Sequence, residues 1–237
     1  MLTAITHKTD ALRRLQYLVT HGYTHWISGT VSPKQIEALT LKFSDRYRVD
    51  ATDMQRYRAK KKGEANCQLV IFQGETALHW WLLATPGEGL VYQLETLKDA
   101  NAKGQRITWP ENDYELVKEP RKAAKASWTW RMTAECFEAW QERLKNAVRR
   151  VHSDDALTQA LWSLKRVPGF RESRRQAFSL VAYAKAEWAR SRKGEWPHGE
   201  IFIGWQGRYK KPTTTPIDTI VAKAKRKKAL SPPPPPA

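Results

Sequence analysis

Two apolar runs, NCQLVIFQ at 66–73 and TALHWWLLAT at 76–85, flank Gly74-Glu75 and constrain the fold of this chain more than its other segments do. Each run is short, rich in branched and aromatic residues, and bounded by turn signals. Together they predict a β-hairpin whose strands face a core. Such a hairpin must be covered, and the hydrophobic spacing on either side shows with what.

Upstream, Leu12, Leu15, Leu18 and Val19 share one face of a predicted helix over 9–21, opened by Thr9-Asp10 and closed by Gly22. YTHWISGTV alternates as a strand, and Pro33 then opens a second helix bearing Ile36, Leu39, Phe43 and Tyr47. Residues 51–63 read as a basic arm or short helix stopped by Gly63. Downstream, RITW, DYELVKE and SWTWRMT have the composition of strands, with Pro110 and Pro120 in the gaps between them. Thr133 caps a helix carrying Phe137, Trp140, Leu144, Val148 and Val151. Ser153-Asp154 opens the next, with Leu157, Ala160, Leu161 and Leu164, and Pro168-Gly169 stops it. Residues 171–193 form a third, with Ala177, Val181, Ala184 and Trp188 inward.

The expected fold class is α+β: a central antiparallel sheet of about five or six strands, helices N-terminal to it, and a helical C-terminal half. Four segments follow: a lead-in with a basic arm at 1–63, the sheet region at 64–132, the helical region at 133–193, and an extended arm with a disordered tail at 194–237. EWPHGEIFIGWQGRYKKP reads as one more hairpin or an extended arm. Residues 213–237 hold a lysine-rich stretch and SPPPPPA, which favours polyproline II, so this end is expected to be solvated.

Charge divides along the same lines. Residues 64–120 hold 4 basic and 9 acidic side chains, and the rest of the chain holds 37 basic and 15 acidic. The formal net charge of +17 and a pI near 10.0 point to a polyanionic partner, because each Lys or Arg that neutralises a phosphate releases counterions. Three basic clusters are the candidate nucleic-acid contacts: Arg56, Arg58, Lys60, Lys61 and Lys62; Arg171, Arg174, Arg175 and Lys193; and Lys225, Arg226, Lys227 and Lys228. By the helical period Arg171, Arg175 and Lys193 share a stripe off the apolar face. The expected partner is nucleic acid, DNA before RNA.

The 11 tryptophans suggest a second binding mode, since aromatics exposed on a sheet stack unpaired bases. Trp80 and Trp81 lie in the acidic block, where phosphates are disfavoured, and Trp128 with Trp130 share one strand face, so the core is their expected place. Cys67 and Cys136 sit in no metal or redox spacing and read as small buried hydrophobes. His25-Trp26 and His79-Trp80 raise the idea of a metal-dependent nuclease, but no paired-carboxylate or His-x-His spacing accompanies them. No phosphate loop, nucleophile elbow or dinucleotide fingerprint is present. No catalytic residue, metal or cofactor is therefore assigned, and a non-enzymatic protein is expected. Asp10, Arg13 and Arg14 break the apolar pattern at the start, so a cytoplasmic protein with no membrane insertion is expected.

The strings HWWLLATPGEG at 79–89, ITWPENDYELVKEPR at 107–121 and WTWRMT at 128–133, followed by the Phe137/Trp140 helix, carry a resemblance over about the first 150 residues. The chain resembles basic accessory proteins of broad-host-range conjugative plasmids and integrative elements, a group that includes plasmid fertility inhibition factors. The resemblance implies a role in transfer, maintenance or replication of a mobile element, or inhibition of transfer of a co-resident plasmid, with a protein of the conjugation machinery as the partner in that case. The strings have no known catalytic roles, so it assigns no functional residue.

Overall fold

The computed structural model describes residues 2–75, 77–121, 124–149, 155–192, 194–206 and 211–230, with backbone alone for 224–230. The chain forms two compact units, one from residues 1–105 with 209–237 and the other from 106–208. It is an α+β protein with a mostly antiparallel six-stranded sheet and a helical C-terminal half.

The first unit runs β1 (Thr3–Ile5), α1 (Lys8–Thr20), β2 (His25–Val31), α2 (Ile36–Tyr47), α3 (Asp53–Lys61), β3 (Cys67–Gln73), β4 (Leu78–Ala84), α4 (Leu90–Leu94) and β5 (Lys98–Asp99). The strand order of its sheet is β5-β2-β4-β3-β1-β8, where β8 is Thr214–Pro216. The expected hairpin is its centre: β3 and β4 pair antiparallel from Cys67↔Ala84 to Gln73↔Leu78, and β2 joins the other edge of β4. Strand alternation sends Cys67, Leu69 and Ile71 to one face and Gln68 and Val70 to the other. α1 buries Ala11, Leu12, Leu15, Leu18 and Val19, and its Arg14 reaches Gln68. On the Ile71 face, Ile36 of α2 packs with Ala4, Ile71 and Leu78.

Trp80 lies flat on its cross-strand partner Gly29, where a Cβ would stand 2.7 Å from the indole, and its ring meets Phe43 edge-on at 5.3 Å. Glycine is thus required there by close approach, not by backbone conformation.

Two features depart from the sequence reading. The segment after residue 213 is not all tail: β8 pairs with β1, and α8 (Ile217–Leu230) buries Ile217, Ile220 and Val221 against Ile36 and Ile71. A single apolar turn among lysines gave too weak a period to be read. The proline run lies outside the described residues.

The second departure concerns the strand segments after residue 105, which do not extend the six-stranded sheet. In the second unit, β6 (Tyr114–Arg121) and β7 (Ala124–Met132) form a separate two-stranded sheet. RITW is no strand. Thr108 makes one bridge to Glu115, Pro110 withholds a donor, and Asn112 turns the chain at φ 54. Ile107 and Trp109 are nonetheless fully buried. Three helices follow: α5 (Ala134–Arg149), α6 (Asp155–Lys165) and α7 (Arg171–Ser191). Thr133 caps α5 by accepting from the Cys136 N–H at 3.2 Å, as its sequence position predicts. Ser153-Asp154 lies outside the described residues. α7 packs on α5 and β7, and its Gln176 both accepts from and donates to the Met132 backbone, satisfying the outer edge of β7. Residues 194–206 form neither helix nor strand; Ile203 is fully buried and the Gln206 N–H donates to the Gly169 carbonyl.

Candidate nucleic-acid interface

α3 is built to stand without a core. Thr52 and Gln55 form a reciprocal capping box, with Gln55 N–H to Thr52 Oγ1 at 3.3 Å and Thr52 N–H to Gln55 Oε1 at 2.7 Å. Asp53 lies in the first turn and Arg58, Lys60 and Lys61 in the last, matching the helix dipole at both ends. The helix buries none of its residues. Arg58, Lys60, Lys61 and Lys62 are exposed, as are Met54 and Tyr57, with the Lys61 ammonium 4.9 Å from the Tyr57 ring centre.

Arg56 differs from the rest of its cluster. It turns inward, donating to the Val49 carbonyl at 3.2 Å and to Asp53 at 3.3 Å, and Asn66 at the foot of β3 donates back to the Arg56 carbonyl at 3.1 Å. Arg56 thereby ties α3 to the sheet, leaving four outward cations.

The second cluster is largely committed within its own unit. Glu172, 7% exposed, receives Arg171 at 3.1 Å and Arg175 at 3.2 Å, and Arg171 also donates to the Glu119 carbonyl. Arg174 donates to the Ile203 carbonyl at 2.9 Å and lies 3.7 Å over the Trp205 ring, with Phe178 at 5.3 Å. Of the three, only Arg175 is mostly exposed, at 82% of its side chain. A buried carboxylate near the other end of α7 repeats the pattern: Glu187 takes Arg149 at 2.8 Å and also Arg190. Lys193 lies outside the described residues, as do the side chains of Lys225, Arg226, Lys227 and Lys228 on the α8 backbone.

The tryptophans of the sheets belong to the core. Trp81, Trp109 and Trp130 are fully buried and Trp26 and Trp128 nearly so. The exposed aromatics lie elsewhere: Tyr57 on α3, Phe178 on α7, Phe202 and Trp205 on the 194–206 segment, and Trp162 on α6 under Arg166. Their exposure had no period to announce it.

His25 meets Tyr92 edge-on at 5.4 Å and His79 stacks on Phe72 at 6.2 Å, so both serve packing. Among the described residues no group of three or more His, Cys, Asp or Glu is placed to hold a metal ion. Cys67 is buried as expected, and desolvation pushes its thiol up to about 12, whereas Cys136 is only half-buried. Among the described residues no helix is long and apolar enough to cross a membrane.

Sequence reasoning missed a cleft of about 540 Å³ in the first unit, lined by Arg14, Arg56 and Lys211. These side chains come from three separated stretches, so no local motif could reveal it. Comparison with protein-family models, with curated proteins and with solved structures found no match to this chain.

Proposed function

We propose that this chain is a non-enzymatic nucleic-acid-binding protein that contacts phosphates through α3, with DNA as the favoured ligand. The observation that carries the reading is a helix that buries no side chain yet presents Arg58, Lys60, Lys61 and Lys62 to solvent, held in place by its own caps and by Arg56. A solvated helix that persists through its own caps and not through a buried face suits contact with an outside partner. Its cations are mainly lysines, which act as mobile point charges on a backbone and carry no sequence readout. The resemblance of the first 150 or so residues supports a role for this activity in the transfer or maintenance of a conjugative plasmid or other mobile element. Binding of labelled duplex and single-stranded DNA across a salt series tests the reading. A steep fall of affinity with salt is expected, and an affinity indifferent to salt overturns it.

One observation favours a second reading. Phe178, Phe202 and Trp205 are exposed at 42%, 75% and 64%, Arg174 lies over the Phe178 and Trp205 rings, and aromatic residues with Arg are the side chains that dominate protein interfaces. This patch supports a fertility inhibition protein that binds a component of a transfer apparatus. In that case Phe202→Ser with Trp205→Ser abolishes inhibition of conjugation while DNA affinity is retained. Loss of DNA affinity with inhibition intact refutes it.

A further inference from the structure

β1 pairs with β3 in parallel at Ile5↔Phe72, and the β1–β3 cleft opens beside that pair, with Thr3 and Ile5 on one wall and Gln68 and Val70 on the other. Arg14 of α1, Arg56 of α3 and Lys211, just before β8, line it, and among the described residues no carboxylate does. Other cavities of this unit differ: one mixes Arg46 and Arg48 with Asp45, Glu64 and Glu88, and another is lined by Glu37, Asp50 and Asp218. Three cations without an acid in the lining make a site for an anion.

The cations are differently held. Arg14 donates to Gln68 at 3.1 Å, which fixes its guanidinium over the sheet. Arg56 has only 20% of its side chain exposed, its Nε is shielded from solvent, and among the described residues that Nε meets no acceptor. The acid that reaches Arg56, Asp53, is itself fully exposed, so the pair offsets little of the desolvation of the guanidinium. Lys211 is exposed at the rim.

We propose that this cleft binds a phosphomonoester, borne by a nucleotide-sized molecule or by the end of a nucleic-acid strand. A phosphomonoester carries nearly two negative charges near neutral pH and presents three acceptor oxygens, which suits two guanidinium groups and an ammonium; a diester, with one charge, compensates less of the cluster. The volume exceeds what one phosphate fills and lies in the range of small-molecule sites, and the apolar side chains of Ile5 and Val70 in the lining suit an attached ring. None of Arg58, Lys60, Lys61 and Lys62 lines the cleft, so the inference does not depend on their role.

The full-length protein is titrated calorimetrically with adenosine 5′-monophosphate and with adenosine, and by anisotropy with a short oligonucleotide bearing a 5′-phosphate or a 5′-hydroxyl. At least one phosphorylated ligand binds about tenfold more tightly than its unphosphorylated counterpart, and the preference declines below about pH 6 as the monoester gains a proton. Preference for the mononucleotide identifies a small ligand, and preference confined to the oligonucleotide identifies a strand end. Lys211→Gln, at an exposed position that leaves folding intact, removes most of the preference, while neutralising Lys60, Lys61 and Lys62 leaves it unchanged and lowers only general DNA affinity. Equal binding with and without the phosphate, an unchanged preference in Lys211→Gln, or equal loss of preference in the α3 variant overturns the proposal.

Discussion

Replacing Lys60, Lys61 and Lys62 together by Gln isolates what α3 contributes to DNA binding. Each phosphate contact adds about 0.9 to the slope of log affinity against log salt on duplex DNA and about 0.7 on a single strand, so three lost contacts flatten the slope by about 2.7 or about 2.1. Over a salt range of about 50 to 200 mM, the wild-type affinity then falls further than that of the variant by about 40-fold on duplex and about 20-fold on single strands. The difference between proteins is the informative quantity, because every other basic segment contributes equally to both. Fluorescence anisotropy with duplex and single-stranded oligonucleotides of equal length reads both slopes.

The fold should survive the substitution. α3 buries none of its residues, and Gln has nearly the helix propensity of Lys. What is lost is the favourable charge at the helix C-terminus and the exposed contact of Lys61 with Tyr57, together below about 2 kcal/mol. Circular dichroism and a thermal midpoint check this. Parallel salt lines for the two proteins, with the fold intact, refute α3 as the phosphate-contacting element.

Three further outcomes follow from the structure. In Gly169→Ala the new Cβ would stand 1.7 Å from the Gly204 carbonyl oxygen, so the 194–206 segment must lift, at a cost of about 1–3 kcal/mol; a shift in Trp fluorescence with a lowered thermal midpoint is expected, and an unchanged spectrum contradicts the contact. Cys136 reacts with a thiol reagent at about pH 8 in the native protein, whereas Cys67, buried and with its thiol pushed up to about 12, reacts only on unfolding; two fast thiols would contradict this. Tyr47, buried and donating to Glu95 at 2.6 Å, has its phenol pushed up from 10.0 to about 12 by burial and then by that hydrogen bond. The proton is held more tightly in the folded state, so the Tyr47 contribution is complete below about pH 10 and is lost as pH rises toward 12. Alkaline unfolding monitored with tyrosinate absorbance checks it, and Tyr47→Phe reduces the effect.

Local signals made much of this fold legible. The β3–β4 hairpin, α1, α2 and α5 announce themselves through period, because each carries its own buried face, although α1 begins at Lys8 ahead of Thr9-Asp10 and α2 at Ile36, three residues beyond Pro33. β1 and β8 could not be read: three residues show no period, and these strands exist through pairing at Ala4↔Thr215, more than 200 positions apart. The membership of the sheets was hidden for the same reason, since strand composition says nothing about which sheet a strand joins. At the candidate site, five cations within 51–63 marked α3, but the inward turn of Arg56 depends on a backbone carbonyl at Val49, which sequence pattern does not register. The cleft draws on residues 14, 56 and 211, which only the folded sheet brings together.

The basic surplus is not a uniform coat, and the division between arginine and lysine shows how it works. In the second unit, arginines hold what water would otherwise solvate: the buried carboxylates of Glu172 and Glu187, and the carbonyls of Glu119, Val148 and Ile203. Guanidinium suits that work, since it is weakly hydrated and its fork serves two acceptors at once. On α3 the outward positions are mostly lysines, whose compact, strongly hydrated charge is costly to bury and suits a solvated surface. A count of basic residues therefore overstates the surface open to a polyanion in the helical unit and describes it well on α3. It follows that Arg174→Lys, which conserves charge, should loosen the Ile203 contact and the stacking on Trp205, while Lys60→Arg should leave the salt dependence of DNA binding unchanged.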